Sequence, residues 1–168
     1  TFLNDYQRAE RKYMQVTDLI TADRIDCDVE ASSKKRALEA LSKLISDSED
    51  TISTNDVFES LLARERLGAT GVGYGVAIPH GRLKNTTQTL GSFVKLNQGV
   101  DFDAADHQPV DLLFALLVPE ESTDEHLKAL AALANMFSDS GFRDRLRKAS
   151  NKDEIIALLL EWQSAHPN

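Results

Sequence analysis

The chain has 168 residues, of which 42% are hydrophobic and 27% charged, values that fit one globular domain and exclude wholesale disorder. Its 27 acidic and 19 basic residues leave a formal net charge of −8. That balance argues against nucleic acid, whose binding rests on neutralising phosphates, and against an anionic membrane surface. The single cysteine, Cys27, permits neither an intramolecular disulfide nor a cysteine-built zinc cluster, and it fits a reducing cytoplasm.

Residues 1–15 read as a polar leader. With Asp5, Arg8, Glu10, Arg11 and Lys12 the leader is too charged for a signal peptide. Residues 16–168 read as one domain, and no apolar run in it approaches the roughly 20 residues of a membrane helix. Between Ala31 and Ser46, Ala37, Leu38, Leu41, Leu44 and Ile45 form one helical stripe. Ser53, Thr54 and Asn55 offer caps for a second helix, with Val57, Phe58, Leu61, Leu62 and Leu67 turned inward. Gly68 to Gly75 holds four glycines in eight residues and is expected to be an irregular loop. It leads into a short strand, Val76-Ala77-Ile78, stopped by Pro79. Leu90 to Leu96 reads as a second strand. Val110 to Val118 reads as a third, and its nearly unbroken apolar run places it at the centre of a sheet covered on both faces. Ser122 to Glu125 has the form of a capping box, Ser122 being the N-cap. The helix that follows is expected to bury Leu127, Leu130, Ala131, Ala134 and Phe137, and a last helix runs from Lys152 to Gln163. Strands interleaved with helices imply a single α/β domain of layered, sandwich type.

Four common signatures are missing: G-x-G-x-x-G, a Walker G-K-[ST], H-E-x-x-H and G-x-S-x-G. The informative stretch runs from Arg64 to Arg82. His80 lies between Pro79 and Gly81, a tripeptide that by itself reads as an ordinary turn with a partly exposed ring, and the glycine loop before it shifts that reading. The glycines before it allow close backbone approach, so their N–H groups can line an anion site, or they form a plain turn. His126 sits in the first turn of its helix, where anions are favoured, although a surface histidine also fits there. Arg64 and Arg66 close the second helix, either for dipole contact or for bidentate capture of phosphate. Together, histidine, arginine, glycine N–H groups and a second histidine compose a phosphoryl site with a histidine nucleophile. His107 and His166 read as ordinary surface histidines. No cofactor is expected, and His80 with His126 gives two ligands where a metal site needs three.

The run from Arg64 to Arg82, with Pro109 to Pro119 and Glu125-His126-Leu127, resembles the enzyme IIA domains of mannitol/fructose type in the bacterial phosphoenolpyruvate-dependent phosphotransferase system. Within that family it is most similar to the nitrogen-regulatory members, over about residues 16–163. The resemblance implies a mixed β-sheet flanked by helices. It implies a cytoplasmic phosphotransferase in which His80 accepts a phosphoryl group from a histidine-phosphorylated carrier protein and becomes phosphohistidine. His126 matches the family's second active-site histidine, Arg64 its arginine, and Thr70 a hydroxyl near the site. The family's regulatory members usually place Ser before that Thr, and here Ala69 stands there. Potassium-transport and sensor-kinase proteins are the kinds of target the resemblance implies. With no permease segment or transport module read in the chain, regulation is expected. The alternative is a sugar-specific enzyme IIA passing phosphate to enzyme IIB. Transfer between two proteins also calls for an open site with an apolar rim, for which Phe102 and Tyr74 are candidates.

Overall fold

Val110–Pro119 is the strand on which the fold is built, and seven of its ten residues in succession, Leu112 to Val118, are fully buried. In this computed structural model, which describes residues 15–122 and 124–167, the strand sits inside a six-stranded mixed sheet. The leader expected over residues 1–15 lies, apart from Gln15, outside the described residues. In chain order the elements are β1 (Ile25–Val29), α1 (Lys34–Ser48), α2 (Thr54–Leu67), β2 (Gly71–Gly73), β3 (Val76–Ala77), β4 (His80–Leu83), β5 (Leu90–Val100), β6 (Val110–Pro119), α3 (Asp124–Phe137), α4 (Ser140–Lys148) and α5 (Lys152–Ala165). The strand order is β1-β5-β6-β3-β2, with β4 also on β6. β5 runs antiparallel to β6, while β3 and β4 run parallel to it.

The period of two along β6 divides the core. Leu112, Phe114, Leu116 and Val118 pack with Leu133, Met136, Phe137, Leu146 and Ile155 of α3 to α5. Leu113, Ala115 and Leu117 pack with Leu38, Leu41 and Ile45 of α1 and Val57 and Leu61 of α2. This is the expected layered α/β sandwich with a mixed sheet. Ser33, Ser53, Asp139 and Asn151 each accept a backbone N–H bond at a helix start, which satisfies donors the helix itself cannot.

Several local expectations are corrected. The glycine segment is largely a β-hairpin: β2 pairs antiparallel with β3 through a turn in which Gly73, Tyr74 and Gly75 all have positive φ. β3 ends at Ala77, ahead of Pro79, and the edge resumes directly after the proline as β4. Val76 lies opposite Leu112 and His80 opposite Leu116, so β4 resumes β3's register on β6, and Pro79's carbonyl still accepts from the Leu116 N–H at 2.9 Å. The described part of α3 starts at Asp124, and the Ser122 hydroxyl donates to the Glu125 carboxylate at 3.1 Å. Its buried face is His126, Ala129, Leu133, Met136 and Phe137, whereas Leu127, Ala131 and Ala134 are exposed. The histidine takes the core-facing position that apolar patterning gives to Leu127.

Gly81 shows why β4 can approach α2. A Cβ there would meet the Ser60 Oγ at 2.2 Å and Ser60 backbone atoms at 3.0 Å. The glycine therefore clears room for the helix rather than for the histidine ring. Gly81→Ala is expected to lower stability by about 1–3 kcal/mol, the cost of forcing atoms into a packed contact, read as a lower midpoint in chemical denaturation.

Candidate functional site

β4 lies at the sheet edge, where alternation sends successive side chains to opposite layers. Gly81 faces α2. His80 therefore faces the layer of α3, where the His126 ring stands edge-on to it with centroids 5.1 Å apart. Arg64, in the last turn of α2, reaches round the edge from the other layer. Its Nε donates to His80 Nε2 at 3.1 Å and its Nη1 to the Gly68 carbonyl at 2.8 Å.

A guanidinium can only donate, so Nε2 of His80 is the acceptor and carries the lone pair. The ring proton is then on Nδ1, which donates to the Ile78 carbonyl at 2.9 Å. Burial holds the His80 pKa below the ordinary histidine value. The Ile78 bond opposes that shift, Arg64 adds to it, and Glu65 pulls the other way. His126 is 8% exposed, and its Nδ1 has no hydrogen-bond partner among the described residues. Its pKa is pushed down to about 4, first by burial and then by His80, Arg82 and Arg64. Both rings are therefore neutral at pH 7.

The structure thus brings His80, Arg64 and His126 together. Thr70 is close by but 6% exposed, and its hydroxyl donates to Glu65 Oε2 at 2.5 Å instead of facing His80. The loop N–H groups expected to line an anion site are partly spent within the fold: Gly68 donates to the Glu65 carbonyl at 3.2 Å, and its non-glycine neighbours Thr70 and Tyr74 donate to the carboxylates of Glu65 and Asp106. Neither expected rim residue belongs to the rim. Phe102 is fully buried beneath Lys34. Tyr74 is 67% exposed, but it stacks with Arg143 beside the start of β6, about 13 Å along the strand from the His80 position. Exposed apolar side chains nearer the site are Leu67, at the end of α2, and Leu127, next to His126. Both were expected inward. His166 is stacked on Trp162 and His107 occupies a positive-φ turn, so neither joins the site.

Two participants escaped the sequence reading. Arg82 shares the His80 face of β4, and its Nη1 donates to the Glu120 carbonyl at 3.0 Å, ahead of the His126 helix. A strand period counted from His80 would have found it. Glu65 is a buried carboxylate that accepts from Lys34, the Thr70 N–H and the Thr70 hydroxyl. Its place four residues after Leu61 and eight after Val57, on the buried stripe of α2, is the signal that would have found it.

Comparison with known proteins agrees with this geometry. Residues 18–162 match the family described as "Phosphoenolpyruvate-dependent sugar phosphotransferase system, EIIA 2". The nitrogen regulatory protein of Klebsiella oxytoca is 42% identical over 149 residues, 88% of this chain and 91% of that protein. The nitrogen regulatory protein of Pseudomonas aeruginosa is 40% identical over 151 residues, 90% of this chain and 98% of that protein. The crystal structure of the nitrogen regulatory protein IIA-Ntr from Neisseria meningitidis is similar at a TM-score of 0.80 and 44% identity, covering 86% of this chain and 98% of that one. No helix among the described residues is long and apolar enough to cross a membrane.

The buried, unpartnered His126 has a consequence for stability. Its folded pKa is depressed, so the unfolded chain binds the proton more readily. The contribution of the neutral ring is fully present above about pH 6.5 and is lost as pH falls towards about 4. His126→Gln is expected to flatten the fall in Tm over that window by on the order of 3 °C or more, measured by thermal unfolding at a series of pH values.

Proposed function

The chain belongs to the EIIA 2 family of the phosphoenolpyruvate-dependent phosphotransferase system, as a nitrogen-related phosphoryl carrier, and we propose that it carries the phosphoryl group on Nε2 of His80. The observation that supports this most is the pair of bonds on that ring. Nδ1–H is anchored on a carbonyl, so the lone pair needed for attack is fixed on Nε2, beside a guanidinium.

In the proposed step Nε2 attacks the phosphorus of a phosphohistidine on a carrier protein. The new N–P bond forms as the donor's N–P bond breaks, and the donor imidazole leaves with its electron pair. The His80 ring keeps its Nδ1 proton and becomes cationic, a charge the Ile78 carbonyl is placed to stabilise. Arg64 moves from Nε2 to the incoming phosphoryl oxygens, which its fork suits. His126, neutral and with spare hydrogen-bonding capacity, donates to a second oxygen.

The nitrogen-regulatory relatives support regulation of other proteins rather than delivery to a sugar-specific enzyme IIB. A phosphoryl group brings close to two negative charges to an exposed edge, enough to change which partner binds. Targets of the potassium-transport or sensor-kinase kind remain part of this proposal.

The test mixes the purified chain with phosphoenolpyruvate, enzyme I and the carrier protein and follows intact mass. One acid-labile phosphoryl group is expected on the wild type and none on His80→Ala. Arg64→Lys is expected to slow acceptance by about 10²-fold, because an ammonium lacks the planar fork. A wild type that gains no mass beside an active carrier would overturn the proposal.

A further inference from the structure

Both nitrogens of His80 can be traced back to one residue. The Thr70 carbonyl accepts from the Ile78 N–H at 3.0 Å, and the Ile78 carbonyl accepts from His80 Nδ1. On the other side, the turn from Glu65 to Thr70 carries the Gly68 carbonyl that holds Arg64 Nη1, while Arg64 Nε holds His80 Nε2. Thr70 is itself clamped. Glu65 takes its N–H on Oε1 at 3.0 Å and its hydroxyl on Oε2 at 2.5 Å, closing a five-residue loop. Lys34 fixes that carboxylate from α1 at 2.7 Å and reaches Asp103 at 3.3 Å.

A buried carboxylate is a costly way to close a surface turn, since a side-chain hydroxyl or amide does that without desolvating a charge. Here the ionised group receives two hydrogen bonds and an ammonium, which makes the turn rigid in one geometry. We propose that Glu65 is a positioning residue for phosphoryl transfer, acting through its clamp on Thr70 to hold Arg64 and the Ile78 carbonyl against the two nitrogens of His80. Thr70 then serves the site from behind, and its hydroxyl does not touch the phosphoryl group. This rests on the phosphocarrier reading for its purpose but not for its geometry.

The experiment uses the unphosphorylated chain for one readout and single-turnover phosphorylation for the other. ¹⁵N-detected imidazole spectra give the tautomer and titration midpoint of His80. The charged and titratable groups facing that ring are Arg64 and Glu65 from α2 and His126 from α3. Thr70→Val keeps the shape of the side chain and removes the hydroxyl donor. Glu65→Gln leaves one acceptor oxygen for three donors, the Thr70 N–H, the Thr70 hydroxyl and the Lys34 ammonium. Each is expected to lower the maximal acceptance rate at least fivefold at unchanged half-saturation by carrier. Each is also expected to mix the His80 tautomers as Arg64 is released; in Thr70→Val, where the Glu65 charge is kept, the His80 midpoint is expected to rise as well. Thr70→Ser keeps the hydroxyl and is expected to behave as wild type.

A rate loss in Thr70→Val with the His80 midpoint and tautomer unmoved means the hydroxyl touches the phosphoryl group, which overturns the proposal. Both readouts within twofold of wild type in Thr70→Val and Glu65→Gln overturn it as well. A chain that takes no phosphoryl group at all, yet shows the tautomer and midpoint changes, sinks the carrier reading and leaves the positioning intact.

Discussion

β3 and β4 hold a single register along β6, and the geometry of the site follows from that pairing. A strand at a sheet edge presents alternate residues to two different layers. At Gly81 one layer comes close enough that a methyl group would not fit. At His80 the other layer supplies His126. Because the edge is narrow, Arg64 on the helix of the first layer reaches a ring that faces the second. Pro79 matters to this arrangement through what it lacks. With no N–H it gives nothing to a ladder, yet its carbonyl stays bonded to β6, so the chain passes it without losing register.

Two neutral imidazoles beside guanidinium groups are a demanding arrangement. Burial and positive neighbours both disfavour a protonated ring, and here they act in the same direction on His80 and His126. A protonated His80 would have no lone pair for attack. The arginine that keeps the ring neutral also occupies that lone pair while no phosphoryl group is present, so the resting contact is a held position and not a spent nucleophile. Moving Arg64 onto phosphoryl oxygens replaces one charge-assisted bond with stronger ones to an anion, which favours the move when the donor arrives.

What the sequence made legible follows the strength of each local signal. β6 is apolar throughout, so its central place could be read directly. The stripe of α1 and the cap at Ser53 belong to the same class of unambiguous pattern. β1 carries Asp26 and Asp28 on its exposed positions and gave no strand signal, and α4 has Phe142 and Leu146 as its buried apolar residues among charged neighbours. The buried face of α3 was misread because a histidine holds a core position there, so the apolar count favoured the wrong side. His80, Arg64 and His126 were found as a set, through residue chemistry and a family resemblance. Glu65 was passed over although it continues the buried stripe of Val57 and Leu61. A carboxylate on a helix is ordinarily solvated, and its burial becomes evident when Lys34 and Thr70, distant in sequence or across a turn, are brought onto it.

Charge gives the last step. The chain carries −8 overall, yet Arg64 and Arg82 stand beside the two neutral rings at the edge. Over the roughly 8 Å that charges reach through physiological salt, a docking protein meets those two guanidinium groups together with the nearby acidic residues Glu65, Asp124 and Glu125, and the charges farther off are screened. A phosphoryl group on His80 brings about two negative charges into the same volume and cancels most of that local positive field. In the proposed carrier, the two states therefore differ most in the sign of a small patch and not in the shape of the fold. A partner that presents an acidic surface to this edge is favoured by the free form, and one that presents arginine to it is favoured by the phosphorylated form. The scaffold contributes stiffness: with β6 buried on both faces and Thr70 clamped, the change of charge is delivered at a fixed place, where a partner can read it.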